Sequence, residues 1–280
     1  MGPVLSFDVS HPEILDAVRR SLAEDIGSGD ITSNLCVPAD AMGLGRMVAR
    51  ESLTLAGVEL LPLIFTDCIV ALTRHSGDRV EDGGEIAVVK GPSRALLTGE
   101  RTALNFVQRL SGIATLAAAY VREVEGTRCR ILDTRKTTPG LRRLEKMAVV
   151  AGGAVIYRIG LFDAVLIKNN HITAAGGVRA ALERTRNAGV PVEIEVRTRA
   201  ELDEALACGA THLLLDNLSP AEAKEWIAHI AGRATVELSG GIRLETARAY
   251  AETGADFLSS GEITHSARAM NLNFRLDFAR

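Results

Sequence analysis

The stretch Val192–Asp216, "VEIEVRTRAELDEALACGATHLLLD", decides how the chain is read. Two short apolar runs bracket a segment with helical spacing that closes on a glycine, where helix C-caps commonly fall. The pattern is strand, helix, strand, and it recurs from about Arg130 onward. Further strands read as "RILDT", "AVIYR", "AVLIK", "TVELS" and "ADFLSS". Helical stretches such as "AAGGVRAALERTRNAG", "PAEAKEWIAHIAG" and "LETARAYAETG" lie between them. Alternating βα units imply a parallel sheet, either a barrel or a doubly wound sheet.

The strand ends choose between these. "ILDTRK" ends on Asp133, Arg135 and Lys136, and "VLIK" on Lys168. "EIEV" carries Glu195, "LLLD" ends on Asp216, "VELS" on Ser239, and "FLSSG" on Ser260 and Gly261. In a β/α barrel the C-terminal strand ends converge on one face, where sites are built. The expected fold class is therefore α/β, with an incomplete parallel β/α barrel (TIM-like) over residues 113–280. Residues 1–112 read as a mixed α/β N-terminal domain, on which the last residues of the chain are expected to pack back. There "PEILDAVRRSLAED" is helical, and "GRMVAR" and "CIVALTRH" are strands. "SRALLTGERTALNFVQRLSGIATLAAAYVREVE" is a long helix with Gly99 and Gly112 as candidate breaks.

The bulk numbers exclude several classes. The net charge of −3 gives no general affinity for nucleic acid or membranes. No apolar run reaches the ~18 residues of a membrane span. The N-terminus lacks a basic segment followed by an apolar core, so no signal peptide is read and a cytoplasmic location is expected. Cys36, Cys68, Cys129 and Cys208 are far apart and read as reduced thiols.

The strand-end inventory points to an anionic substrate. Arg135, Lys136, Arg158 and Lys168 are cations, Glu195 and Asp216 are carboxylates, and "SGG" (Ser239–Gly241) and "SSG" (Ser259–Gly261) are small-residue loops. Such loops let backbone N–H groups approach a phosphate. Carboxylates beside cations suit a metal, or a transition state with cationic character. Each feature alone has a structural explanation, such as a salt-bridged lysine or a common Ser-Gly turn. Several strands placing costly polar groups at one face is what favours a site.

At "LDTRKTTPGLRRLEKMAV" (Leu132–Val149) the chain resembles the quinolinate phosphoribosyltransferases, or carboxylating nicotinate-nucleotide pyrophosphorylases. "EDIGSGDITS", "GERTALNFVQRLSGIAT", "GLFDAVLIKNNHI", "LLLDN", "VELSGGI" and "THS" match in order, nearly end to end. The resemblance implies transfer of phosphoribosyl from phosphoribosyl pyrophosphate to quinolinate, with loss of pyrophosphate and carbon dioxide. It implies Mg2+ as cofactor and a homodimer or an assembly of dimers. Arg135, Arg158 and Lys168 would hold the pyridine carboxylates, with Lys136 at the pyrophosphate end. Arg101 would reach a neighbouring subunit's site. Glu195 and Asp216 would face the ribose and magnesium pyrophosphate, so that their metal contact is indirect. Ser239, Gly240 and Gly261 would cradle the 5'-phosphate, with His265 nearby. Lys136, Glu195 and Asp216 are the catalytic candidates.

One departure stands out. The family pattern after the glycine pair is asparagine, histidine, arginine; this chain reads "GGAVIYR", with Tyr157 in place of the histidine and Arg158 retained. A neutral phenol replaces a group able to carry charge. Either the reaction is unchanged, or the acceptor is a different pyridine or heteroaromatic acid. Readings from other classes fit less well: a Schiff-base enzyme using Lys168 has no use for the phosphate loops and paired acids, and the hairpin "SGDRVEDGGEIAVVKG", which resembles a biotinyl or lipoyl carrier, has no lysine at its turn and reads as structural. A non-catalytic, transport-associated relative stays open.

Overall fold

The apolar strands of the second half are continuous because both faces of their sheet are covered. The computed structural model describes residues 8–278; residues 1–7, 279 and 280, on which part of the N-terminal and tail readings fall, lie outside them. Six parallel strands run in the order Arg130–Leu132, Phe257–Ser259, Thr235–Ser239, His212–Asp216, Val192–Val196 and Val165–Ile167. Ile131, Ile194, Val196, Leu213, Leu215, Val236, Leu238 and Leu258 form their buried core. Leu132 adds a parallel bridge to Val155 on its other side. The strand order thus runs nearly round a barrel, leaving one seam between the Val155 segment and the Val165–Ile167 strand.

The predicted strand "AVIYR" is therefore corrected to a single bridge. Its ladder stops because the Tyr157 backbone N–H donates to the Asp133 carboxylate at 3.0 Å instead. Side chains cross the seam: the Tyr157 hydroxyl donates to the Val165 carbonyl at 3.4 Å, and the Arg158 guanidinium to the Ala164 carbonyl at 3.2 Å.

The intervening helices start where their sequences specify. Thr198 with Glu201, and Ser219 with Glu222, form reciprocal capping boxes for helices Arg199–Ala207 and Pro220–Ile230. The single helix expected over "AAGGVRAALERTRNAG" is two, Asn169–Ala175 and Val178–Thr185. Gly176 and Gly177, at φ +93° and +128°, occupy conformations that end one and precede the other.

The other unit is built on an antiparallel sheet in the order Leu272–Phe278, Met42–Ala49, Glu85–Pro92, Ile69–Leu72. Gly45 is required there, since a Cβ would sit 2.3 Å from the Phe274 ring, which itself stacks on Phe65 at 5.5 Å. Helix Ser93–Glu123 is unbroken over 31 residues, so Gly99 and Gly112 are not breaks. Each lets a neighbour approach: a Cβ on Gly112 would lie 1.9 Å from the Arg268 carbonyl oxygen, and one on Gly99 2.6 Å from the Phe65 ring.

Residue 112 falls inside this helix, and the compact units interleave along the chain. Among the described residues, 8–118, Thr137–Gly153 and 263–278 form the antiparallel unit; Ala119–Lys136 and Ala154–Glu262 form the parallel one. Among the described residues no helix is long and apolar enough to cross a membrane.

Candidate active site

In the parallel unit, Val192–Val196 turns Ile194 and Val196 to one face and Glu193 and Glu195 to the other, as the two-residue period requires. Glu195 is 3% exposed and meets two cations. Lys168 Nζ lies 3.0 Å from its Oε2, and Arg197 2.9 Å from its Oε1. Arg197 also approaches Asp216 Oδ2 at 3.9 Å. One guanidinium thus links the ends of two neighbouring strands. Arg197 belongs to this cluster although nothing in the sequence singled it out beyond its place directly after the Glu195 strand.

Lys168 caps helix Asn169–Ala175, and its backbone N–H donates to His171 Nδ1 at 2.9 Å. His171, which reads in sequence as a loop residue supporting the site, lies in the first turn of that helix and fixes the lysine's backbone. Arg158 is buried, with its guanidinium 5.8 Å from the Tyr157 ring centroid. Arg135 is half-buried after the Arg130–Leu132 strand. Lys136 is exposed, and its backbone N–H donates to Thr134 Oγ1 at 3.1 Å.

The phosphate-loop candidates join the same rim through Asn217, a second residue missed from sequence. Its backbone is left-handed at φ +59°, a conformation asparagine tolerates better than most residues. Its N–H donates to the Ser239 carbonyl at 2.9 Å, and its side-chain amide to Asp216 Oδ2 at 2.7 Å. Gly240, at φ +90°, has no room for a side chain: a Cβ would fall 2.2 Å from Asn217 Oδ1. Gly261 follows the neighbouring strand Phe257–Ser259.

Beneath this rim the parallel unit buries Asp133, Glu193, Glu237 and Ser259. Burial pushes the Glu193 carboxyl up from its ordinary range. Glu237 is pushed well up by burial and by repulsion from Glu193. Burial, and then the Glu193 charge, push the Tyr157 hydroxyl up, so the phenol stays protonated.

Arg101 and His265 lie in the other compact unit. Arg101 is exposed on helix Ser93–Glu123. His265 closes the turn Glu262–His265, with Nδ1 2.6 Å from Ser266 Oγ. Ser260, which "FLSSG" placed at a strand end, is 5% exposed and donates to the Ile242 carbonyl at 2.9 Å, so it supports its loop from below.

Cations, linked carboxylates and glycine loops on the strand ends of an incomplete α/β barrel define an enzyme class that handles an anionic, phosphorylated substrate. The particular family follows from comparison with known proteins. The N-terminal domain model of quinolinate phosphoribosyl transferase matches residues 30–111, and the C-terminal domain model residues 113–275. The carboxylating nicotinate-nucleotide pyrophosphorylase of Mycobacterium leprae is 41% identical over 273 residues, covering 93% of this chain and 96% of that one. A probable carboxylating nicotinate-nucleotide pyrophosphorylase of Bacillus subtilis is 37% identical, covering 95% and 94%. The solved nicotinate-nucleotide pyrophosphorylase of Francisella tularensis superposes with a TM-score of 0.91 at 36% identity, covering 95% and 98%. The chain belongs to the quinolinate phosphoribosyl transferase family.

Proposed function

We propose that this protein transfers phosphoribosyl from phosphoribosyl pyrophosphate to the ring nitrogen of quinolinate, giving nicotinate mononucleotide, pyrophosphate and carbon dioxide. The reaction is a step of NAD biosynthesis. The observation that carries this reading is the chain Lys168, Glu195, Arg197, Asp216 beside the Ser239–Gly240 loop. It supplies the two charge types that the reaction needs on one rim.

Displacement at the anomeric carbon develops positive charge on the ribose. Glu195 and Asp216 provide negative charge there, and Lys168 and Arg197 hold Glu195 in place without reorganisation. The pyridine nitrogen is a modest nucleophile, so binding of the ring carboxylates by Arg135, Arg158 and Lys168 contributes by orientation. Once the nitrogen is bonded to ribose and cationic, its positive charge stabilises the electron pair that the departing 2-carboxylate leaves on C2, and that pair takes a proton. Lys136 serves the pyrophosphate end, and Ser239, Gly240 and Gly261 the 5'-phosphate.

The donor chemistry fits Mg2+ held through the pyrophosphate. Both Glu195 oxygens are engaged by cations, whereas Asp216 is half-buried and offers hard oxygens, which suits a cation that keeps water and phosphate in its shell. Magnesium supplies charge neutralisation of the leaving group when bound. The working form is a homodimer, or an assembly of dimers, in which Arg101 completes the neighbouring site, and its location is the cytoplasm.

A specific observation favours a second reading. The Tyr157 hydroxyl has one hydrogen, and two acceptors of the protein compete for it, the Val165 carbonyl at 3.4 Å and the Glu193 carboxylate. It therefore offers none to an acceptor carboxylate, which suits a pyridine or related heteroaromatic acid with one carboxylate fewer. Incubation with phosphoribosyl pyrophosphate, Mg2+ and either quinolinate or nicotinate separates the two. Absence of turnover with every acceptor would instead indicate a non-catalytic relative.

A further inference from the structure

The strand-end loops carry an acidic residue that a phosphate cradle has no evident use for. Glu262 follows Gly261 directly, in "SSGEITH". Its carboxylate is taken up from within the same unit. Tyr120 is the bulkiest fully buried side chain, at 0% exposure, and its hydroxyl donates to Glu262 Oε2 at 2.5 Å. That hydroxyl also lies 3.2 Å from Ser260 Oγ and 3.4 Å from the Ile242 carbonyl oxygen. Ser260 in turn donates to the Ile242 carbonyl at 2.9 Å. One phenol thus touches both loops, Ser239–Ile242 and Ser260–Glu262, as well as the acid beside them. Burial and the neighbouring Glu262 charge push its pKa up, so it remains a donor. Exposed Glu245, in the first turn of helix Leu244–Ala251, adds a second negative charge facing it.

We propose that Tyr120 is a positioning residue that latches the Glu262 carboxylate beside the loop pair and so keeps that loop receptive to a sugar phosphate. The physical reason is Coulombic. A carboxylate released next to Gly261 would face a dianionic phosphate in a partly desolvated setting, where like charges repel far more strongly than in water. The latch rests on the phosphate role assigned to these loops under the proposed function. It predicts an effect that loss of packing alone would not give: removing the Glu262 charge should cancel the effect of removing the Tyr120 hydroxyl.

The test is ribose 5-phosphate binding by calorimetry on the full chain, with melting temperature as the check on folding. Tyr120→Phe is expected to weaken binding by about tenfold. Its kcat at saturating phosphoribosyl pyrophosphate should stay near wild type while the KM for that substrate rises. Glu262→Gln is expected to bind no more weakly than wild type, and Tyr120→Phe/Glu262→Gln to return to within about twofold of it, the non-additivity of a coupled pair. Glu262→Asp keeps the charge but shortens the arm, and should weaken binding as Tyr120→Phe does, which keeps the test available if the phenylalanine variant does not fold. Wild-type affinity in folded Tyr120→Phe or in Glu262→Asp overturns the latch, as does a double variant as weak as Tyr120→Phe. A wild-type chain that binds ribose 5-phosphate but makes no mononucleotide from quinolinate overturns the reaction and not the latch. One that binds no ribose 5-phosphate overturns the latch.

Discussion

Lys168 Nζ stands 3.0 Å from Glu195 Oε2, joining the ends of two adjacent parallel strands by a charge pair whose acid is 3% exposed and whose lysine side chain is 51% exposed. Because the cations around Glu195 remain half in solvent, the pair contributes little to stability, about 1 kcal/mol or less. Its value lies in aiming the carboxylate. Glu195→Gln should therefore leave the melting temperature nearly unchanged and lower kcat by roughly 100-fold. Single-turnover kinetics checks this. A large loss of stability with kcat intact would contradict the role.

Tyr157 sets the acceptor question. If its hydroxyl, held by the Val165 carbonyl, is what disfavours a second carboxylate, Tyr157→His should raise kcat/KM for quinolinate by about tenfold, the size of one added charge-assisted hydrogen bond. Unchanged or lower values would show that the phenol is an adequate substitute.

Gly240 has neither the backbone angle nor the space for a side chain. Gly240→Ala should cost about 1–3 kcal/mol of stability, as residues forced into left-handed backbone do. Weaker ribose 5-phosphate binding should accompany the loss, since Asn217 must move. Urea denaturation and calorimetry on the same preparation measure both.

The buried acid Glu237 makes stability fall with rising pH. Its folded-state pKa is raised well above the ordinary 4.5, so the unfolded chain releases this proton at a pH where the folded protein still holds it. Its contribution is complete below about 4.5 and declines as pH rises through the folded value. Glu51 works in the opposite sense, lowered to about 2 chiefly by its hydrogen bond with Arg268, and loses its contribution as pH falls from 4.5. Glu193, also raised by burial and hydrogen-bonded to Glu237, acts in the same sense above 4.5. Glu237→Gln should therefore reduce the fall of urea-unfolding free energy with rising pH above that value, and a fall as steep as wild type would contradict the assignment.

If Arg101 completes a neighbouring site, inactive Arg101→Ala and Lys168→Ala chains should complement each other. An equal mixture, refolded together, should regain about a quarter of wild-type activity, since half the dimers are mixed and each mixed dimer has one intact site. No regain would place Arg101 in its own subunit's site.

The fold and half of the rim were legible because parallel strands buried on both faces are nearly pure apolar runs, against which Lys168, Glu195 and Asp216 stand out. Gly99 and Gly112 misled because local propensity treats glycine as a break, whereas here it admits the Phe65 ring and the Arg268 carbonyl. The segment before Arg158 has strand composition, but Asp133 takes the backbone donor its ladder would need. Arg197 and Asn217 were invisible because their roles depend on which strands become neighbours, and Tyr120 because a tyrosine in a long apolar helix gives no sign of what its hydroxyl meets.

The most direct test of the central claim is product analysis with phosphoribosyl pyrophosphate, Mg2+ and quinolinate labelled in the 2-carboxylate. Nicotinate mononucleotide and labelled carbon dioxide are expected in equal amounts, and chelation of the metal should abolish both. Mononucleotide formed from nicotinate, with no carbon dioxide released from quinolinate, would contradict that claim.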